Sequence, residues 1–146
     1  LLLLKISTMT LKKFGRFIPG IAWFFVILFL ITLPKDDLPE TGGWWVWLEK
    51  LHFDKWVHAG MFAIQTWLLI IPVNKFDIPI KEKWQWMIRV CMAVIVWGIF
   101  TEIIQLYVPG RSFDLLDWAA DSFGAILALL LGKRLFLRHL EKKSID

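Results

Sequence analysis

Asp54, Lys55 and His58 open one apolar stretch of this sequence, Glu102 and Gln105 close a second, and Arg111, Asp114, Asp117 and Asp121 lead into a third. Asp54 and His58 stand at i and i+4, so on a helix they share a face, and Gln65 continues that stripe. Glu102 and Gln105 form an i, i+3 pair, while Asp114, Asp117 and Asp121 fall at i, i+3 and i+7, again one face. A histidine among carboxylates has the components of general acid–base chemistry. His58 would serve as base or nucleophile, oriented by Asp54, with Glu102 or Asp117 as acid. The same set also suits binding. Lys55 and Arg111 would meet anionic groups, while Gln105, Asp121 and the other carboxylates would meet hydroxyls or cations.

The charges in this set do not balance. Asp54, Glu102, Asp114, Asp117 and Asp121 oppose two fixed cations, Lys55 and Arg111, with His58 as a third when protonated. Solvent, protons, a metal ion or a cationic ligand must meet the excess. One imidazole with several carboxylates is a ligand set open to a divalent ion. No H-E-x-x-H spacing, no Ser or Cys beside His58 and no Gly-rich phosphate loop accompanies it, so no cofactor and no metal site is predicted. Structural roles compete for some of these residues. Asp114 follows the Pro109-Gly110 turn as a helix N-cap would. Asp117, in the first turn, gains from the helix dipole. Lys55 is positioned to pair with Asp54 or to reach headgroups. Glu102 and Asp121 are flanked by apolar residues and are harder to explain as surface groups.

The elements that carry these residues are long and apolar. Residues 17–33 contain no charge, which at 1.5 Å per residue is enough to cross most of a bilayer core of roughly 30 Å. Residues 57–73 form a second such run, marked only by His58 and Gln65. Two further runs, 90–101 and 122–132, reach spanning length only with their polar ends included. The expected fold is all-α: a polytopic bundle of four transmembrane helices, at about 17–33, 55–73, 84–105 and 114–137. Residues 1–16 would form an amino-terminal cytoplasmic segment, 17–137 the membrane domain and 138–146 a cytoplasmic tail. Gly124, Ala125 and Ala128 give the fourth helix a small-residue face that lets a neighbour approach closely.

Thirteen of the 17 Lys and Arg lie before the first run, between the second and third, or after the fourth. The positive-inside rule then puts both termini and the middle loop in the cytoplasm, and the other two loops outside. The polar set above therefore belongs to the outer half of the membrane. The basic residues flank apolar runs and form no continuous patch, which argues against nucleic acid as a partner. In the first outer loop Trp44, Trp47, Leu48 and Leu51 share a helical face, the pattern of a short interfacial helix. Trp84 and Trp86 mark the opposite interface. Met9 reads as a more natural start than Leu1, and the first apolar run, lacking a small-x-small cleavage site, as a retained helix. The single cysteine, Cys91, excludes an intrachain disulfide and a cysteine-based metal site.

Asp54-Lys55-x-x-His58, Glu102-x-x-Gln105, Pro109-Gly110-Arg111, Asp117 and Gly124 together resemble the VanZ-like family of bacterial membrane proteins. The similarity runs from Asp54 to Gly132, and it departs from the family at Asp121, where Asn is more usual. The resemblance implies a multi-pass protein of the bacterial cytoplasmic membrane and a link to glycopeptide resistance of the teicoplanin type. It does not supply a reaction. The expected partners are membrane lipids or a lipid-linked envelope precursor, bound at the outer-leaflet cluster. An intramembrane enzyme using His58, and a structural bundle with a closed polar network, are the alternatives.

Overall fold

Residues 14–34 and 53–137 are described by the structure, a computed structural model of the chain. They form four α-helices and no strand: α1 (Ile18–Ile31), α2 (Phe53–Asn74), α3 (Ile80–Gln105) and α4 (Leu115–Gly132). α4 runs on into a π-helical turn at Lys133–Leu137. The expected interfacial helix over residues 44–51, most of the amino-terminal segment and the tail at 138–146 lie outside the described residues.

Three helices are long and apolar enough to cross a membrane: α2, α3 and the stretch Leu115–Phe136. α1 is shorter than the expected 17–33. Its 14 residues rise about 21 Å, less than a bilayer core. Pro34 explains where it stops, because a proline pushes the residue before it out of the helical region. Thr32 closes the helix, donating its hydroxyl to the Phe29 carbonyl at 2.8 Å and the Leu28 carbonyl at 3.1 Å. α3 starts earlier than the expected position 84, directly after Pro79. The hydropathy boundary misses this turn because helix formation does not require apolar residues. Lys83, within it, donates to the Asn74 carbonyl at 3.0 Å and so satisfies the carboxyl end of α2.

Polarity runs inward. Buried between the helices are His58, Gln65, Thr66, Thr101, Glu102, Gln105 and Asp121. Facing outward are Ile21, Phe25 and Phe29 of α1, Met92, Val96 and Phe100 of α3, and Phe123, Leu127 and Leu130 of α4. A chain folded in water hides its large apolar groups, so this arrangement suits a hydrocarbon surround.

α2 and α4 share the most extensive interface. It is close because Gly124 lies against the backbone of Ala59, where an added Cβ would sit 2.7 Å from the Ala59 carbonyl carbon. Ala125 and Ala128 are buried beside it, as the small-residue face anticipated. α1 docks through two polar contacts. The Trp23 indole donates to the Met61 carbonyl at 2.9 Å, and the Gln65 amide donates to the Gly20 carbonyl at 3.1 Å. Phe24 adds a ring contact to Trp97 of α3, with centroids 4.2 Å apart. At the end of the bundle holding the 75–79 loop, Lys133 lies over the Trp84 ring and Arg89 over Trp86, a cationic and aromatic rim suited to a membrane interface.

Candidate functional site

The polar residues singled out by spacing converge at the opposite end, where α2 and α4 begin and α3 ends. The connection there is a tight turn. Arg111 N–H donates to the Val108 carbonyl at 3.1 Å, with Pro109 fixing φ at the second position and Gly110 supplying a φ of 72° at the third. This brings the chain back at once, so that Asp114 follows as the N-cap of α4 and accepts the Leu116 N–H at 2.8 Å.

Lys55 is the hub of one half of the cluster. Its ammonium lies 2.6 Å from Asp114, 2.5 Å from Asp117 and 3.1 Å from Asp54. These contacts tie the start of α2 to the start of α4. The Lys55 ammonium, and then the Leu116 N–H, hold the Asp114 carboxyl below its ordinary value of 3.8. Lys55 is thus occupied by carboxylates, which leaves Arg111 as the other of the two cations expected to meet anionic groups.

His58 is the hub of the other half. Its Nδ1 stands 3.0 Å from Asp121 Oδ1, with both side chains buried, and its Nε2 lies 3.9 Å from Asp117. The spacing within α2 had suggested Asp54 as the group that orients His58. The contact found comes instead from Asp121 on the neighbouring helix, while Asp54 pairs with Lys55 with its side chain 59% exposed. Glu102, fully buried, accepts the Asp114 N–H through Oε2 at 2.9 Å, bracing the turn between α3 and α4.

A cleft of about 240 Å³ opens beside these groups, lined by the polar residues Asp54, His58, Gln105 and Arg111. The rest of its lining is apolar: Leu30, Ile31 and Leu33 at the end of α1, with Val57 and Met61 of α2. Gln105 is 2% exposed. Its Nε2 and the Nε of Arg111 are buried with no hydrogen-bond partner among the described residues. The same holds for Glu102 Oε1 and Asp121 Oδ2. Buried polar atoms are ordinarily paired, so this end of the bundle has unused donors at the cleft and unused acceptors behind it.

Of the expected site residues, the structure gathers Asp54, Lys55, His58, Glu102, Gln105, Arg111, Asp117 and Asp121 at one end. Gln65, on the same sequence stripe as His58, belongs to the docking of α1 instead. Spacing missed the apolar wall from the end of α1, and also Trp118, whose indole donates to the Ile95 carbonyl at 3.1 Å and holds α4 to α3. No signal in the sequence pairs Trp118 with a particular carbonyl.

Comparison of the chain with known protein families, with curated proteins and with solved structures finds no match. Its class therefore rests on the molecule itself. It is a helical bundle with three helices long and apolar enough to cross a membrane, with an apolar outer surface, an apolar core and a buried polar cluster at one end.

Proposed function

We propose that this chain is a VanZ-like protein of the bacterial cytoplasmic membrane, with four crossings and both termini cytoplasmic, whose cleft binds a lipid headgroup from the outer leaflet. The Lys and Arg distribution supports the orientation, since the end holding the cleft is flanked by the basic-poor segments. α1 is short for a crossing, but Phe17 and Leu33 extend its apolar stretch, and the bilayer accommodates a modest mismatch by thinning. The observation that carries the reading is the cleft's mixed polar and apolar lining. Arg111 and Gln105 offer unused donors for a phosphate or a sugar hydroxyl, and Leu30, Ile31, Leu33, Val57 and Met61 offer an apolar wall for the first carbons of an acyl or prenyl chain. Such a site fits a phospholipid or a lipid-linked envelope precursor, and sequestering either gives a route to altered glycopeptide susceptibility.

The test is lipid analysis of the purified protein together with antibiotic sensitivity of cells expressing it. Replacing Arg111 by Ala removes charge-assisted hydrogen bonds worth about 1.5–3 kcal/mol, so co-purified anionic lipid should fall about tenfold or more. Unchanged lipid content and unchanged teicoplanin susceptibility in both Arg111→Ala and Gln105→Ala would refute the reading.

A second reading draws on His58. It lines the cleft and has a buried carboxylate at 3.0 Å, the arrangement of an oriented general base acting on a bound lipid. Turnover of a labelled lipid that is lost in His58→Gln, with lipid binding retained, separates this reading from binding alone.

A further inference from the structure

Behind the cleft, three helices each contribute one buried side chain to a single point: His58 from α2, Glu102 from α3 and Asp121 from α4. One ligand atom from each lies within 4.8 Å of the others. Glu102 and Asp121 are fully buried and His58 is 7% exposed. We propose that these three residues bind a divalent transition-metal ion, of the zinc or manganese class.

Three features support the site. The first is spacing. Ligands about 2.1 Å from a tetrahedral metal ion are about 3.4 Å apart. The 3.0 Å between His58 Nδ1 and Asp121 Oδ1 is close to that spacing, and the 4.8 Å limit is reduced to it by an inward movement of side chains. The second is the state of the carboxylates. Lys55 engages Asp54, Asp114 and Asp117, and no lysine or arginine among the described residues pairs with Glu102 or Asp121. Each of those two retains a buried oxygen, Glu102 Oε1 and Asp121 Oδ2, without a hydrogen-bond partner there. A divalent ion balances the charge of two buried carboxylates and gives each a partner.

The third feature is independent of the ligands. Gln105, one turn beyond Glu102, is 2% exposed, lines the cleft beside His58, and holds a buried Nε2 with no partner among the described residues. Three protein ligands leave a tetrahedral ion one open position, filled by water or by a ligand oxygen. An oxygen held there on the cleft side supplies the acceptor that Gln105 lacks. One imidazole with two carboxylates suits zinc or manganese. Calcium prefers six to eight oxygens, and magnesium keeps most of its water. The ion would sit between the cleft and the helix interface, where it can polarise a phosphate or hydroxyl entering the cleft. The ligands come from three helices at no motif spacing, so which carboxylates join His58 is visible only in space.

The site stands apart from the lipid reading and is tested separately. The full chain, purified in detergent with any histidine tag removed, is stripped with EDTA, repleted with zinc chloride and assayed by elemental analysis. Cobalt loading followed by visible absorption reports the ligand geometry. The expected result is about one zinc ion per chain, with at least about tenfold weaker binding in Glu102→Gln and Asp121→Asn and unchanged binding in Gly60→Ala, where an added Cβ meets nothing within 4 Å. Helicity and a monodisperse elution profile establish that each variant is folded. Wild-type protein that takes up no zinc, manganese or cobalt would overturn the proposal, as would full binding by the folded double variant. If the variants fail to fold, wild-type elemental analysis still decides, because protein that retains none of the three metals has no site.

Discussion

Replacing Gly124 by Ala should loosen the bundle at the point on which the candidate site depends. A Cβ at Gly124 would overlap the Ala59 carbonyl oxygen and lie 2.7 Å from the Ala59 carbonyl carbon and 2.9 Å from its Cα. Carbon atoms in contact prefer about 3.5–4.0 Å, so α2 and α4 must move apart by roughly 1 Å. Both obstructing groups are backbone, so no rotamer change relieves the clash. His58 adjoins Ala59, and Asp121 stands one turn before Gly124. The same movement would take the His58–Asp121 contact from 3.0 Å to about 4 Å, beyond hydrogen-bonding range. Overpacking costs about 1–3 kcal/mol, and losing a buried charge-assisted hydrogen bond costs about 1.5–3 kcal/mol. A total of about 2.5–6 kcal/mol is therefore expected. The assay is reversible unfolding in mixed micelles, with Gly60→Ala as the control. A Cβ at Gly60 meets nothing within 4 Å, so that substitution should be neutral or stabilise the helix by up to about 1 kcal/mol. If Gly124→Ala unfolds within about 0.5 kcal/mol of Gly60→Ala, the close approach of α2 to α4 is refuted, and the His58–Asp121 pairing loses its support.

That interface also shows what the sequence could and could not reveal. The small face of Gly124, Ala125 and Ala128 follows from helical period and residue size, and all three are buried. Which helix they meet does not follow, because the 3.6-residue period fixes a face and says nothing about its partner. The difficulty with His58 is the same. Spacing within one helix favours Asp54, whereas Asp121 is 63 residues away and becomes its neighbour only when α2 packs on α4. The N-cap at Asp114 and the turn before it were legible because both are local, set by Pro109, Gly110 and a short polar side chain. The first turn of α3 was not legible, since Lys81, Glu82 and Lys83 look like loop residues until Lys83 is seen to reach the end of α2. The cleft was equally hidden. Its apolar lining comes from the end of α1 and from α2, and its polar lining from α2, α3 and the turn that follows. Sequence thus identified the polar residues that gather at one end of the bundle, and packing determined which of them pair and which are left with unused atoms.

Two further perturbations probe the ionic half of the cluster. Lys55→Met removes the cation shared by Asp54, Asp114 and Asp117, and should cost about 2–3 kcal/mol in the same unfolding assay, below the cost of breaking a fully buried pair because Lys55 is 20% exposed. Adding Asp117→Asn to Lys55→Met should recover part of that loss, and further destabilisation by the second change would mean that Lys55 is not the partner of Asp117. Asp114 gives the pH dependence: its carboxyl is held below 3.8 by Lys55, so the charged form contributes stability that is fully present above that value and is lost as pH falls through the lower folded-state value. Because Asn caps a helix as well as Asp does, Asp114→Asn isolates the charge, and the gap in melting temperature between it and wild type should be constant above about pH 5 and close below about pH 4, whereas a gap that widens on acidification would reverse the sign and refute the Lys55 contact as its cause.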